Sequence, residues 1–405
     1  MSALKYWIWL SSLEGVGIRA RAEVIRHFGD AESAYFSPTG SFKGIDGVSP
    51  SEAAVLERRD LSRVSGILGD CEMQHICPVT MQDALYPKRL KAIWAPPVVL
   101  YVKGRLPQID DEAAIAVVGT RSASPYGIKM ARRLSGEIVR CGGVVVSGLT
   151  NGVDAAAATG ALEADGIVVG VLGTAHEQQE SVLSLDVCQR GALVSEYPPG
   201  MRSLKSFFRD RNRISSGLSV GTLAVEAPEK SGTLLFTAEA LEQGREVFAV
   251  PGNADAASCR GTNRLLKEGA TPVTCGWDVM SEFAARFPTK IRRDSSCPAP
   301  EEKTVSEALP PRSASPENGS AGGEKEIDKP QNGAYIDLRE QLASLSETQL
   351  KIISAIEKEP THIDDIVEKT GLGAATVLTQ LTVMTVRGLI RRVPGNRVAL
   401  NVQRR

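Results

Sequence analysis

A doubly wound α/β fold with a parallel sheet is predicted by two patterns. From Ala113 onward short apolar runs recur at residues 114–118, 143–146, 168–172, 192–194, 222–225 and 247–250, and stretches of helical spacing such as 127–141 and 153–163 separate most of them. Near-continuous apolar strands alternating with helices mark a sheet buried on both faces, because each parallel connection crosses over through a helix. Within that series, residues 207–252 hold a strand at 222–226, a helix opened by Ser231-Gly232-Thr233 and a returning strand at 246–250. This βαβ order crosses over right-handed and carries ligands at the carboxyl ends of its strands.

At 405 residues the chain exceeds one ordinary core, so several domains are expected. Residues 1–70 are read as a helical domain. Within it, 7–36 is a helix broken at Gly15-Val16-Gly17 and resumed with Ala20, Val24, Ile25 and Phe28 at helical spacing. Two helices about a G-x-G turn resemble a helix-hairpin-helix or SAM-like module, whose turn amides could face a phosphate. A plain packing module is the equal alternative, and residues 44–61 read as a second, weaker copy. Residues 71–287 form the sheet domain, with Pro96-Pro97 and a strand at 98–102 leading into it. Residues 288–343, rich in Pro, Gly, Ser and charge, are expected to be a disordered linker. Residues 344–405 show helical patterns and then two strands about Pro394-Gly395-Asn396, a winged helix. Its candidate recognition helix, 374–387, has Arg387 as its single cation, which suits protein contact or weak duplex binding better than sequence readout.

Composition narrows the function classes. Net charge is −1, so any nucleic-acid binding must come from a local patch. Seven scattered cysteines without a C-x-x-C pair, and four histidines, argue against a metal site or a disulfide framework and fit a reducing cytoplasm. The apolar run at 6–10 is too short for a secretion signal, and no segment reaches membrane-spanning length.

The loops at the strand ends carry the chemistry. Gly119 and Arg121 with Ser122 follow a strand and precede a helix, where glycine admits a phosphate and arginine can grip it. A second glycine loop spans 147–154, and there a plain turn with Asp154 at a helix start is as good a reading as ligand contact. Lys205, Arg209, Arg211 and Arg213 interleave with Phe207, Phe208 and Asn212, a pattern suited to a single strand that brings both phosphates and base faces. Gly232 and Thr233 at a helix start, with Arg260, Asn263 and Arg264 further on, complete a rim of amides and cations. No nucleophile, histidine and acid set emerges, and His176, the one histidine between residues 113 and 287, reads as structural.

The runs VVGTR, SGLTNGVDAAA, GALVSEYPPG, RNRISSGLS, VEAPEKSGTL, EQGREVFAVPG and RGTNRLLKEGA occur in the order of the DNA-processing protein A family (DprA/Smf), and over about residues 80–282 the chain resembles that family. The resemblance implies an extended Rossmann-like domain that binds single-stranded DNA, protects incoming strands, forms homodimers and helps load the RecA recombinase during natural transformation. It implies no cofactor and no nucleotide hydrolysis. The family's basic contacts fall on Arg121, Arg211 and Arg213, with Asn212 and the neighbouring aromatic as supports. Two positions depart from the family pattern, Asn151 for arginine and Ala158 for histidine, and the segment after Thr174 is shorter and different, which predicts a weakened or reshaped pocket. The rival reading is a phosphoribohydrolase of the lysine-decarboxylase-like (LOG) class, but Leu234, Leu235 and Phe236 stand where its glutamate would follow Gly232-Thr233. A winged-helix regulator would leave the sheet and its basic loops without a role.

Overall fold

The computed structural model describes residues 3–295, 347–356, 361–373, 376–377, 380–381, 384–385, 390–393 and 397–400. Residues 296–343 of the expected linker, most of the candidate recognition helix and the Pro394-Gly395-Asn396 turn lie outside them. The chain divides into two compact units, Met1–Ser306 and Glu307–Arg405.

The first unit is built on a nine-stranded sheet of order β1-β2-β6-β5-β4-β3-β7-β8-β9. Its strands are β1 Ile76–Thr80, β2 Val99–Gly104, β3 Ala114–Val118, β4 Val144–Ser147, β5 Val168–Leu172, β6 Ala192–Ser195, β7 Gly221–Ala224, β8 Glu246–Ala249 and β9 Thr271–Pro272. From β6 to β9 every pairing is parallel. β1 and β2 are antiparallel additions on the β6 edge, and β1 has no counterpart in the predicted strands. Side chains alternate between two cores: Ile115 and Val117 of β3 face one, while Ala114, Ala116 and Val118 face the other. Burial on both faces explains why these strands read as unbroken apolar runs.

Helices α1 Leu4–Ser12, α2 Ile18–Phe28, α3 Ala31–Tyr35, α4 Pro50–Leu56, α5 Val64–Met73 and α6 Lys88–Lys91 come first, and α9 Val182–Arg190 precedes β6. Two helices cover the first core, α7 Pro125–Arg140 and α8 Val153–Glu163. They approach so closely that a Cβ on Gly160 would meet the Arg132 carbonyl at 2.0 Å. Between β6 and β7 the basic and aromatic run lies largely on a pair of short helices, α10 Phe207–Asp210 and α11 Asn212–Gly217. The βαβ crossover is β7, α12 Gly232–Glu242 and β8, and α13 Arg260–Lys267 follows.

The N-terminal region begins with two helices, Leu4–Ser12 and Ile18–Phe28, on either side of the predicted glycine turn, where Gly15 takes φ +80°. The Gly17 amide donates to Glu52 Oε1 at 2.8 Å, so it is not open to a phosphate. Residues 44–61 contain one helix, Pro50–Leu56, rather than a second hairpin. Trp7, Trp9, Val24 and Phe42 share a continuous core with Val99 and Tyr101 of β2. The helices therefore belong to the sheet's packing. At the other end, Ile291 still packs into the sheet core and the Arg292 amide donates to the Cys141 carbonyl, so order continues past residue 287.

In the second unit the helices Glu347–Ala355 and Ile363–Thr370 accompany an antiparallel three-stranded sheet in which Arg397–Leu400 lies between Thr361–His362 and Ile390–Val393. Ile352, Ile366, Leu381, Met384 and Val398 fill its core. Among the described residues no helix is long and apolar enough to cross a membrane.

Candidate functional site

From β3 the sheet grows in opposite directions, through β4 on one side and β7 on the other. The loops leaving β3 and β7 diverge, and a crevice opens at their carboxyl ends, the usual ligand position in such sheets. A cavity of about 470 Å³ occupies it.

The β3 loop is held from two sides. The Thr120 amide donates to the Glu226 carbonyl at 2.8 Å, and the Ser124 amide to Glu226 Oε2 at 2.8 Å. The Thr120 carbonyl accepts from the Val153 amide at 3.2 Å, at the start of α8. Between these anchors Arg121 is exposed, its guanidinium 5.2 Å from the centre of the Phe208 ring. A cation over an aromatic face is attracted by the ring's quadrupole. Phe208 is itself seated against Gly173, where an added Cβ would lie 3.1 Å from its Cα.

Arg211 forms the floor. It is 7% exposed, its Nη1 donates to the Val171 carbonyl at 3.2 Å, and it lies so close to Gly148 that a Cβ there would be 1.5 Å from Nη1. Burial pulls the Arg211 pKa below the ordinary value, while the Asp154 charge pulls it back up. Burial likewise pushes the Asp154 carboxyl upward, against the opposing pull of Arg211 and of the Thr150 hydroxyl, which donates to Oδ2 at 2.9 Å. Lys205 and Arg209 are exposed and Asn212 is half-buried on the same rim. On the opposite wall stand Lys230, Gly232 and Thr233. Ser231 caps α12 by accepting from the Thr233 amide at 3.2 Å, and the helix dipole adds positive potential there.

The cavity therefore gathers Gly119, Arg121, Lys205, Phe208, Arg209, Arg211, Asn212, Gly232 and Thr233 from the expected residues. Others fall elsewhere. Arg213 is 1% exposed and bound to Glu196, and Phe207 is stacked on Tyr197 with centroids 3.8 Å apart and planes at 10°. Both brace the short helices that carry Phe208 and Arg211. Ser122 is exposed but outside the lining. Arg260, Asn263 and Arg264 line a separate cavity of about 450 Å³, where Asn263 is engaged with Gly252 and Arg264 pairs with Glu268 at 2.9 Å.

Lys230 and Glu226 escaped the sequence reading. The signal for Lys230 is its place between Glu229 and the helix-opening Ser231-Gly232; for Glu226 it is a charge ending an apolar strand, and the side chain is fully buried. The segment after Thr174 braces the site instead of weakening it. Gln179 Nε2 donates to the Gly148 and Leu149 carbonyls at 3.2 and 3.3 Å, and Glu177 accepts from the Gly200 amide at 2.8 Å. His176 is buried with Nε2 2.8 Å from the Tyr101 carbonyl oxygen, and burial lowers its pKa. Ala158 is fully buried in the core, and Asn151 is exposed.

Chemically, five cations, the aromatic side chains of Phe208 and Phe236 and amides surround one carboxylate, Asp154, among the described lining residues. Glu239, the next acid along α12 that could serve a hydrolase, accepts from Trp94 Nε1 at 3.4 Å and lies outside the lining. The arrangement suits an anionic, ring-bearing ligand.

Comparison with known proteins agrees. Residues 78–284 match the family of DNA recombination-mediator protein A, and residues 338–396 match the DprA winged helix domain. Protein Smf of a Synechocystis strain is 28% identical over 401 residues, 97% of each chain. DNA processing protein DprA of Bacillus subtilis is 37% identical over 224 residues, 54% of this chain and 75% of the relative. The crystal structure of DprA from Streptococcus pneumoniae superposes with a TM-score of 0.60 at 31% identity, covering 69% of this chain and 97% of that one.

Proposed function

The chain belongs to the DNA recombination-mediator protein A (DprA/Smf) family, and from that premise we propose that it binds single-stranded DNA, shields incoming strands and passes them to the RecA recombinase during natural transformation. It does so in the cytoplasm as a homodimer, and by binding rather than by hydrolysis.

The observation that carries this reading is Phe208 beneath Arg121, over a floor of buried Arg211. A single strand presents an unpaired base to the ring and phosphates to the cations, whereas a duplex keeps its bases stacked on each other. The buried arginine favours a fixed position for one phosphate, because its guanidinium is already desolvated and oriented. Family membership supports the role in recombination.

Fluorescence anisotropy of labelled oligonucleotides across a salt series tests the reading. Affinity for the single strand should exceed that for the duplex, fall linearly with salt on logarithmic axes, and drop in the double variant Arg121→Ala, Lys205→Ala. Salt-insensitive binding or a duplex preference overturns it.

A further inference from the structure

Next to the cavity at β3 and β7 lies a second one of about 540 Å³, between the exits of β7 and β8. The two share a wall: Glu226 lines the second, and its carbonyl holds the Thr120 amide of the first. Gly252 in turn lines both the second cavity and the third, where Arg260, Arg264 and Lys267 project. The three cavities follow one another along the carboxyl edge of the sheet in the order of its strands, which are spaced about 4.8 Å apart.

The second cavity has the features of a base pocket. Tyr126 is 44% exposed on its wall, and its hydroxyl donates to the Pro251 carbonyl at 2.9 Å, so the side chain is pinned while much of it stays exposed. Asn253 and Ser258 add polar edges. Glu226 is not offered to a ligand: it is fully buried, with Oε2 taken by the Ser124 amide and the Cys259 thiol 4.0 Å from Oε1. It backs the pocket and ties it to the β3 loop.

We propose that this cavity receives one nucleobase of the bound single strand, stacked on Tyr126, and that the strand's next phosphates lie along Arg260 and Lys267. The inference rests on the single-strand reading above and extends it to a second base-binding station on the same edge. A pinned ring binds any base, because every base offers a π face, and a ring already fixed loses little freedom on binding.

The test uses the full chain and an oligonucleotide of about 12 nucleotides, within the range of single-strand sites, carrying 2-aminopurine at successive positions. Two separated positions should change emission on binding. Tyr126→Ala should abolish one of them and weaken binding about five- to 150-fold, a typical stacking loss. Tyr126→Phe should retain both signals, and Arg260→Ala with Lys267→Ala should lower the salt slope by about 0.7 for each phosphate no longer neutralised. A single responsive position in the wild type, or unchanged binding and both signals in a Tyr126→Ala protein, overturns this inference while leaving the first station intact. Failure of the wild type to bind single strands removes both readings, so the two failures are separable.

Discussion

Arg213 and Glu196 form a buried ion pair in which one guanidinium nitrogen, Nη2, lies 2.6 and 2.7 Å from the two carboxylate oxygens, with side-chain exposures of 2% and 4%. Two residues away, Arg211 is also buried yet lines the cavity. Alternate arginines of one short run thus have separate tasks. Arg213→Ala leaves Glu196 charged and unpaired, and should cost about 3–5 kcal/mol of stability. Urea unfolding measures this, and the folded fraction should retain its affinity for DNA.

Arg121 and Phe208 should behave as one unit. Arg121→Ala should lower the slope of log affinity against log salt by about 0.7, and Phe208→Ala should cost about 1–3 kcal/mol of binding with the slope unchanged. Their effects should not add, since each holds the other across 5.2 Å. Titrations of the two single variants and the double variant test this.

Gly148→Ala should damage the site without touching a charge. The new methyl would sit 1.5 Å from Arg211 Nη1, so the guanidinium must leave its place beside the Val171 carbonyl. Overpacking of this kind costs about 1–3 kcal/mol of stability. Affinity for single strands should fall toward that of Arg211→Ala, a comparison made by anisotropy.

Asp154 gives the site a pH dependence of defined sign. Burial raises its folded-state pKa above the ordinary carboxylate value, so the folded protein holds the proton more tightly than the unfolded chain. Its charge then costs stability as pH rises from the ordinary carboxylate value through the raised one, and the cost is absent below that window. Across the same window, falling pH removes the one negative charge of the lining, so affinity for DNA should rise. Asp154→Asn should hold the high affinity throughout and flatten this part of both profiles, as measured by titration and by thermal melting at each pH.

The parallel core was legible because burial on both faces leaves unbroken apolar runs such as Ala114–Val118. β1 was not, since Ile76–Thr80 contains Cys77 and Pro78 and meets its partner β2 only across the intervening residues 81–98. Within the site, Gly119 and Arg121 were readable because a strand end, a glycine and a cation adjoin in sequence. The separation of Arg211 from Arg213 was not readable, because it depends on Glu196, which reaches Arg213 from the end of β6. Arg260 and Arg264 share the edge of the sheet with Arg121 but not its cavity, and one-dimensional spacing carries no record of which side of β7 a loop turns toward.

The two outermost strands of the sheet each contain a proline, Pro78 in β1 and Pro272 in the two-residue β9. A proline has no amide hydrogen to lend a neighbouring chain, and so short a border offers little length to pair with. Neither border invites another polypeptide to extend the sheet, which guards a protein of this size against edge-to-edge aggregation.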